Sequence, residues 1–371
     1  MLGLAPECDR FCPSRKGKGW KHFQQQSSIL HNMRKFHLLT VRNDEEKGSK
    51  RQSSNGDRSG CNEDTAEIEN GDNKADDKIV FLELGAGKGG LAALAAKTYD
   101  CDVVVVDISA FKQTQDRYIR HIGCRFSRIQ IDLRHFDITK VEALQGKRFV
   151  AGAKHLCGVA TDYALRAICR RSAAKNEVDR DCKNHPSNND MTMVGLAIAT
   201  CCHHRCKWGP YVGKSFLASI GISRNEFERM CEWSSWATIG SKDSSHGNHD
   251  ERQTRPIEAS TSDRDISGES DRKESKNTVE SSHGNEHRET EIRRLDVDER
   301  IKIGHLCKRV LDAGREWYLQ QYRVGVRKDP KKMTTVSPIL HLSTRLVHFV
   351  NTAVSVENRL LVATNRPPKH M

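Results

Sequence analysis

Long apolar runs are missing from this chain. No uninterrupted stretch approaches the ~18 residues that a membrane-spanning helix needs. The first twenty residues carry Cys, Lys, Arg and Gly but not the apolar core of a secretory signal. The 13 cysteines are odd in number, scattered, and include the adjacent pair Cys201-Cys202. That pattern argues against a stapled secreted scaffold. It points to a reducing intracellular compartment, cytoplasm or nucleus, with the cysteines as thiols or metal ligands. No internal repeat is visible. Apolar residues are sparse as well, at 36% against 30% charged, as expected when long solvated insertions dilute an ordinary domain.

What is present is a basic excess. The formal net charge is +12, and residues 301–340 hold nine Lys/Arg against three Asp/Glu, half of the surplus. A positive surface there favours a polyanion such as nucleic acid; a solvated basic helix face is the plain alternative.

The 371 residues suffice for one large domain or two ordinary ones. Residues 1–42 read as a basic segment followed by a helix over 21–39, and 43–77 as a disordered, polar linker. From 78 to 240 short apolar strands alternate with helices: Ile79–Leu84, the helix LAALAAK, Val103–Val106, a helix over 110–121, Ile129–Ile131, Phe149–Leu156, a helix over Thr161–Arg171 with Thr161 as N-cap, a polar loop over 176–190, and Met193–Ala199. That alternation predicts an α/β fold with a mostly parallel sheet. Residues 241–292 read as a disordered insertion. Residues 293–371 return to order, with helical periodicity over 296–321 and a last strand over Val354–Thr364.

The strongest local signal is FLELGAGKGGLA, Phe81 to Ala92. Gly85, Gly87 and Gly89 form a turn between strand and helix, where the backbone bends sharply and approaches a ligand without a Cβ in the way. A P-loop is disfavoured because Lys88 is followed by glycine rather than Ser or Thr. The spacing also fits a dinucleotide fold, so NAD stays open at this point. Glu83, two residues before the first glycine, and Asp107, at the end of the second strand, match a methyltransferase-type pocket in which Asp107 accepts from ribose hydroxyls. Asp132, after the third strand, would face an adenine amino group.

Ligands of open α/β sheets sit at the carboxyl ends of strands. The fourth strand ends in Lys154-His155-Leu156-Cys157-Gly158 and the fifth in Thr200-Cys201-Cys202-His203-His204-Arg205-Cys206, so both clusters should line one rim. Cys201, Cys202, His203, His204 and Cys206 are candidate zinc ligands, although adjacent ligands rarely share one tetrahedral ion. A nucleophilic Cys157 or Cys202, positioning and proton handling around an acceptor, and plain buried side chains are the other readings.

The segments KHFQQQSSIL, FLELGAGKGGLA, AKHLCGVATDYALRAI, LAIATCCHHRCKWGPYVGKSFLASIG, SSWAT, KIGHLCKRVLDAGREWYLQQ and VSVENRLLVA resemble the eukaryotic tRNA 2′-O-methyltransferases of the fourth acceptor-stem nucleotide, the tRNA:m(4)X modification enzymes. The matches run in order over roughly 21–39, 78–240 and 293–365. The resemblance implies a Rossmann-like class I S-adenosylmethionine-dependent methyltransferase with helices on both faces of the sheet, and methyl transfer to a tRNA ribose 2′-OH. It disfavours NAD. Members of that family begin with two small zinc modules, whereas only Cys8, Cys12 and basic residues precede QQQSSIL here, so a shortened chain is expected. On this reading His155 or His203 takes the hydroxyl proton, with Lys154 stabilising the alkoxide or acting as the base itself. Lys207, Arg309, Arg315, Lys328, Lys331 and Lys332 are the expected phosphate contacts. A pseudo-enzyme that binds tRNA without methylating it is the competing class, and retention of Glu83, Gly85, Gly87 and Asp107 speaks against it.

Overall fold

The computed structural model of the chain describes residues 17–40, 78–112, 114–169, 191–238, 295–324 and 340–365, with positions 6 and 8. The expected linker 43–77, the loop 176–190 and the insertion 241–292 lie outside these residues. Among the described residues, no helix is long and apolar enough to cross a membrane.

Five strands run parallel: β1 (Ile79–Leu84), β2 (Cys101–Asp107), β3 (Phe126–Gln130), β4 (Arg148–Cys157) and β5 (Thr192–Cys201). A short ribbon pairs β6 (Arg323–Val324) with β7 (Leu340–His341). Two further strands, β8 (Ser343–His348) and β9 (Arg359–Thr364), pair antiparallel, and β9 is antiparallel to β5. The main sheet has the order β3-β2-β1-β4-β5-β9-β8. The α/β, mostly parallel, Rossmann-like architecture is therefore the one expected.

The four-valine run of β2 shows why helices cover both faces. Side chains alternate along a strand. Val103 and Val105 enter one apolar core and Val104 and Val106 the other. The first core holds Phe23, Leu30 and Met33 of α1 (Gly17–Lys35), Leu91 and Ala95 of α2 (Gly90–Thr98), and Ile119 of α3 (Asp116–His121). The second holds Leu165 and Ile168 of α4 (Val159–Ile168). Two helices that periodicity did not reveal, α5 (Lys214–Ser219) and α6 (Arg224–Trp233), pack with the long α7 (Val297–Gln320) around Tyr211, Phe227 and Leu311. Leu319, near the end of α7, joins the second sheet core. Reciprocal capping boxes start α6 (Ser223 with Glu226) and α7 (Asp296 with Glu299), satisfying N–H groups that a helix start leaves open.

Three local expectations are corrected. The helix over 110–121 is only Asp116–His121, because the preceding chain is drawn across the glycine turn, where the Gln115 N–H donates to the Lys88 carbonyl at 2.9 Å. Thr161 is not an N-cap. The helix begins after Gly158, and the buried Thr161 hydroxyl donates to the Leu156 carbonyl at 2.7 Å, tying α4 to β4. The last strand starts at Arg359 rather than Val354. The residues before it turn back on themselves, with the Val354 N–H on the Asn351 carbonyl and the Asn358 amide on the Val350 carbonyl.

Candidate active site

The chain crosses from one side of the sheet to the other between β1 and β4, the switch point at which open α/β sheets bind ligands. The glycine turn lies there. Gly85, Gly87 and Gly89 all have positive φ, at 64°, 53° and 78°. Gly85 is favoured by its φ, and a Cβ there would also push on the Leu156 side chain of β4, whose Cδ2 would stand 2.7 Å away. Two carboxylates hold the turn. Asp107 accepts from the Gly87 N–H at 2.7 Å and the Ser109 N–H at 2.8 Å. Glu83 accepts from the Ala92 N–H at 2.8 Å, at the start of α2. Arg128 pairs with Asp116 and donates to the Gly87 carbonyl at 3.0 Å. Beside Asp107, Ile108 is 60% exposed and Phe111 is 38% exposed. These apolar faces suit a flat aromatic ring and were not picked out by the sequence reading. Asp132 follows β3 and is held by the Arg134 side chain at 2.9 Å and its backbone N–H at 2.8 Å, which keep its carboxyl below the usual range.

Glu83 is buried and acts on the turn rather than on solvent. Burial pushes its carboxyl up to about 8, against the Ala92 N–H and the Lys154 and Arg128 charges. The folded chain thus holds Glu83 neutral where the unfolded chain ionises it. Its contribution to stability is complete below about pH 4.5, declines as pH rises, and is lost by about pH 8. Glu83→Gln should flatten that slope and melt above the wild type at pH 8, by an amount on the order of a few kcal/mol in stability. Melting curves from pH 5 to 9 test this, and parallel profiles for the two proteins would refute it.

The reactive rim is assembled across long sequence distances. Lys154 Nζ lies 3.0 Å from His22 Nδ1 of α1. Burial lowers the Lys154 pKa, with Glu83 opposing, and the Lys154 charge in turn lowers that of His22. His155 is open to solvent on one side but hemmed in by protein; this desolvation, with Lys154 and His22, lowers its pKa to about 4. His22 was not singled out in the sequence because its helix read as a separate N-terminal segment. Only the packing of α1 over the sheet brings it to Lys154.

The strand-end clusters of β4 and β5 do share a rim, with Cys157 paired to Cys201 in register. The set of convergent ligands nevertheless differs from the expected one. The sulfurs of Cys157, Cys201 and Cys202 lie within 4.8 Å of one another. Cys201 donates to the Cys157 sulfur at 3.5 Å, which lowers the Cys157 pKa to about 6 and raises that of Cys201. His204 is exposed and outside this group. His203 and Cys206 belong to a different, buried network, which corrects their place as rim ligands and removes His203 as the proton acceptor. His203 is fully buried, with Nε2 2.7 Å from Asp312. Arg315 is also fully buried. It donates to Asp162 at 2.7 and 3.2 Å, to Asp312 at 3.2 Å, to the Gly158 carbonyl at 3.1 Å and to the Cys206 sulfur at 3.1 Å. It is therefore not a phosphate contact: a guanidinium with two carboxylate partners and no exposed surface cannot reach RNA. Lys207 and Arg309 are exposed, while Lys328, Lys331 and Lys332 lie outside the described residues.

A relative from Mus musculus named tRNA:m(4)X modification enzyme TRM13 homolog is 30% identical over 377 residues, covering 94% of this chain and 65% of its own length. Its Homo sapiens counterpart is 28% identical, covering 95% of this chain and 66% of its own length. That from Dictyostelium discoideum is 37% identical over 167 residues, 43% of this chain and 30% of its own length. The chain thus spans just under two thirds of the length of the first two relatives. The family model described as Methyltransferase TRM13 matches residues 24–364, a span that takes in α1 from Gln24 onward, the glycine turn, both strand-end clusters and β9. The chain belongs to the TRM13 methyltransferase family.

Proposed function

We propose that this chain transfers the methyl group of S-adenosylmethionine to a ribose 2′-OH at position 4 of the tRNA acceptor stem. The observation that carries the reading is the meeting, at one switch point, of a carboxylate-gripped glycine turn with the Lys154–His22 pair, in which Lys154 is half-buried and His22 exposed. The residues present fit that cofactor. The space over Gly87 is open, its nearest neighbour to an added Cβ being the Phe111 ring at 3.9 Å. Asp107 stands ready for ribose hydroxyls, and Ile108 and Phe111 offer an apolar face to the adenine. Bound there, the cofactor supplies an activated methyl group on a sulfonium. Glu83 acts as a positioning residue through the α2 N-terminus.

Lys154 is the group best placed to take the 2′-hydroxyl proton, since burial favours its neutral amine. His155, neutral at physiological pH, orients the acceptor beside it. Lys154→Ala should slow single-turnover methylation by about 100-fold or more, and the wild-type rate should rise with pH as the amine deprotonates. A profile flat above pH 5 would assign the base to His155 instead, and wild-type rates for both Ala variants would remove this proton-transfer scheme.

The acceptor stem is A-form and is recognised by shape and phosphate contacts. Arg309, Arg345, Arg359 and His348 line a cavity of about 680 Å³ between α7 and β8. Arg359 pairs in register with Thr200, which puts the cavity at the sheet end that carries the reactive rim. A tRNA substrate implies an intracellular site of action, in cytoplasm or nucleus. Labelling of total tRNA by the purified chain, with mapping of the modified nucleotide, tests the whole reading. Methylation at another position, or none despite bound cofactor, would overturn it.

A further inference from the structure

Three sulfurs converge where the methyl-transfer reading needs none. Cys157 closes β4 and Cys201 closes β5, side by side in register, with their sulfurs 3.5 Å apart. The third, Cys202, is the immediate neighbour of Cys201. In an extended strand, adjacent side chains point to opposite faces and could not share a ligand. Here the backbone leaves the strand at Cys202 with φ 49° and ψ 46°. Only His37 shares a positive φ among the described non-glycine residues. A left-handed conformation is unfavourable for a side-chain-bearing residue, and here it brings two successive thiols to one point. All three sulfurs then lie within 4.8 Å of each other. A tetrahedral ion with metal–sulfur bonds of about 2.3 Å separates its sulfurs by about 3.8 Å, so the triad is close to that geometry.

We propose that Cys157, Cys201 and Cys202 form a binding site for one soft, thiolate-preferring cation of the zinc class. Among the described residues no other cysteine, histidine or carboxylate joins the group, so one coordination position is left to solvent. Cys157 and Cys202 are partly exposed, which gives the ion an entry path, while Cys201 is buried. The convergence of three sulfurs, not two, favours a metal over a disulfide. Bound there, the ion ties the ends of β4 and β5 together next to Leu156, the side chain that abuts Gly85. The inference is independent of methyl transfer, and its readouts are metal content and thiol reactivity, not activity.

The test uses the full chain purified under reducing conditions. Elemental analysis of zinc is compared between wild type and Cys157→Ser, Cys202→Ser and, as control, Cys169→Ser, a buried thiol at the end of α4. The first two variants should hold one metal equivalent fewer than wild type, and the control should match it. Cobalt(II) added in place of zinc should give a thiolate-to-metal charge-transfer band that the same two variants lose. Should a variant fail to fold, alkylation of wild-type Cys157 and Cys202 followed by peptide mapping gives a second reading: zinc should protect both, and a chelator should restore reaction. Equal metal content in wild type and variants, or alkylation indifferent to zinc, would each overturn the proposal.

Discussion

Arg315→Met is expected to lower the unfolding free energy by about 3–5 kcal/mol, the largest stability loss of any single substitution discussed for this chain. The guanidinium has no exposed surface and serves two carboxylates at once, Asp162 on α4 and Asp312 on its own helix, while Thr200 and His203 from the β5 end also bond Asp312. Methionine keeps much of the volume but leaves Asp162 without its ion-pair partner and Asp312 with only Thr200 and His203, in a dry interior where an uncompensated charge is far more costly than the intact network. Adding Asp162→Asn to Arg315→Met should recover part of the loss by removing one stranded charge. The pH dependence has a definite sign. Burial alone would raise the Asp312 pKa, but His203 and Arg315 outweigh it and hold the carboxyl down to about 2. Its contribution is therefore complete above the unfolded value near 4 and is lost as pH falls towards 2. Urea unfolding at pH 7, repeated down to pH 3, measures both effects. A loss below about 1 kcal/mol for Arg315→Met would show that the network is not a stabilising unit.

Asp107→Ala should weaken S-adenosylmethionine binding by about 100-fold, or about 2.8 kcal/mol. Two effects combine. The carboxylate is the proposed acceptor for the ribose hydroxyls, and charged hydrogen bonds contribute roughly 1.5–3 kcal/mol each. It also holds the Gly87 N–H at 2.7 Å, so its removal loosens the turn. Asp107→Asn separates the two, because the amide oxygen can still accept from Gly87 while the charge is gone; its affinity should fall between wild type and Asp107→Ala. Calorimetric titration reads this directly. Unchanged affinity in Asp107→Ala would remove the turn from the cofactor site, whatever the fate of the methylation assay.

The parts of this site that could be read in advance are those written in short stretches of chain. The Gly85–Gly89 turn follows an apolar strand and precedes a helix, and its chemistry depends on residues within about ten positions. The same holds for Val103–Val106 with Asp107 and for the two strand ends that carry Lys154 and Cys201. The misassigned residues failed for one reason: their partners lie far away in sequence. Arg315 read as a basic helix residue facing RNA, but its carboxylate Asp162 is 153 positions away. His203 read as a rim base, yet Asp312, 109 positions away, holds it in the interior.

Strand and helix periodicity, the glycine turn and the acid after β2 thus followed from the sequence alone, because steric limits on the backbone and the burial of alternate side chains operate locally. Which titratable groups meet was settled by tertiary packing: His22 with Lys154 across 132 positions, and Cys157 with Cys201 across 44. Hydrogen bonds and sulfur contacts act over a few ångströms, and only the docking of α1 onto the sheet, for His22 and Lys154, and the pairing of β4 with β5, for the cysteines, brings such residues within that range.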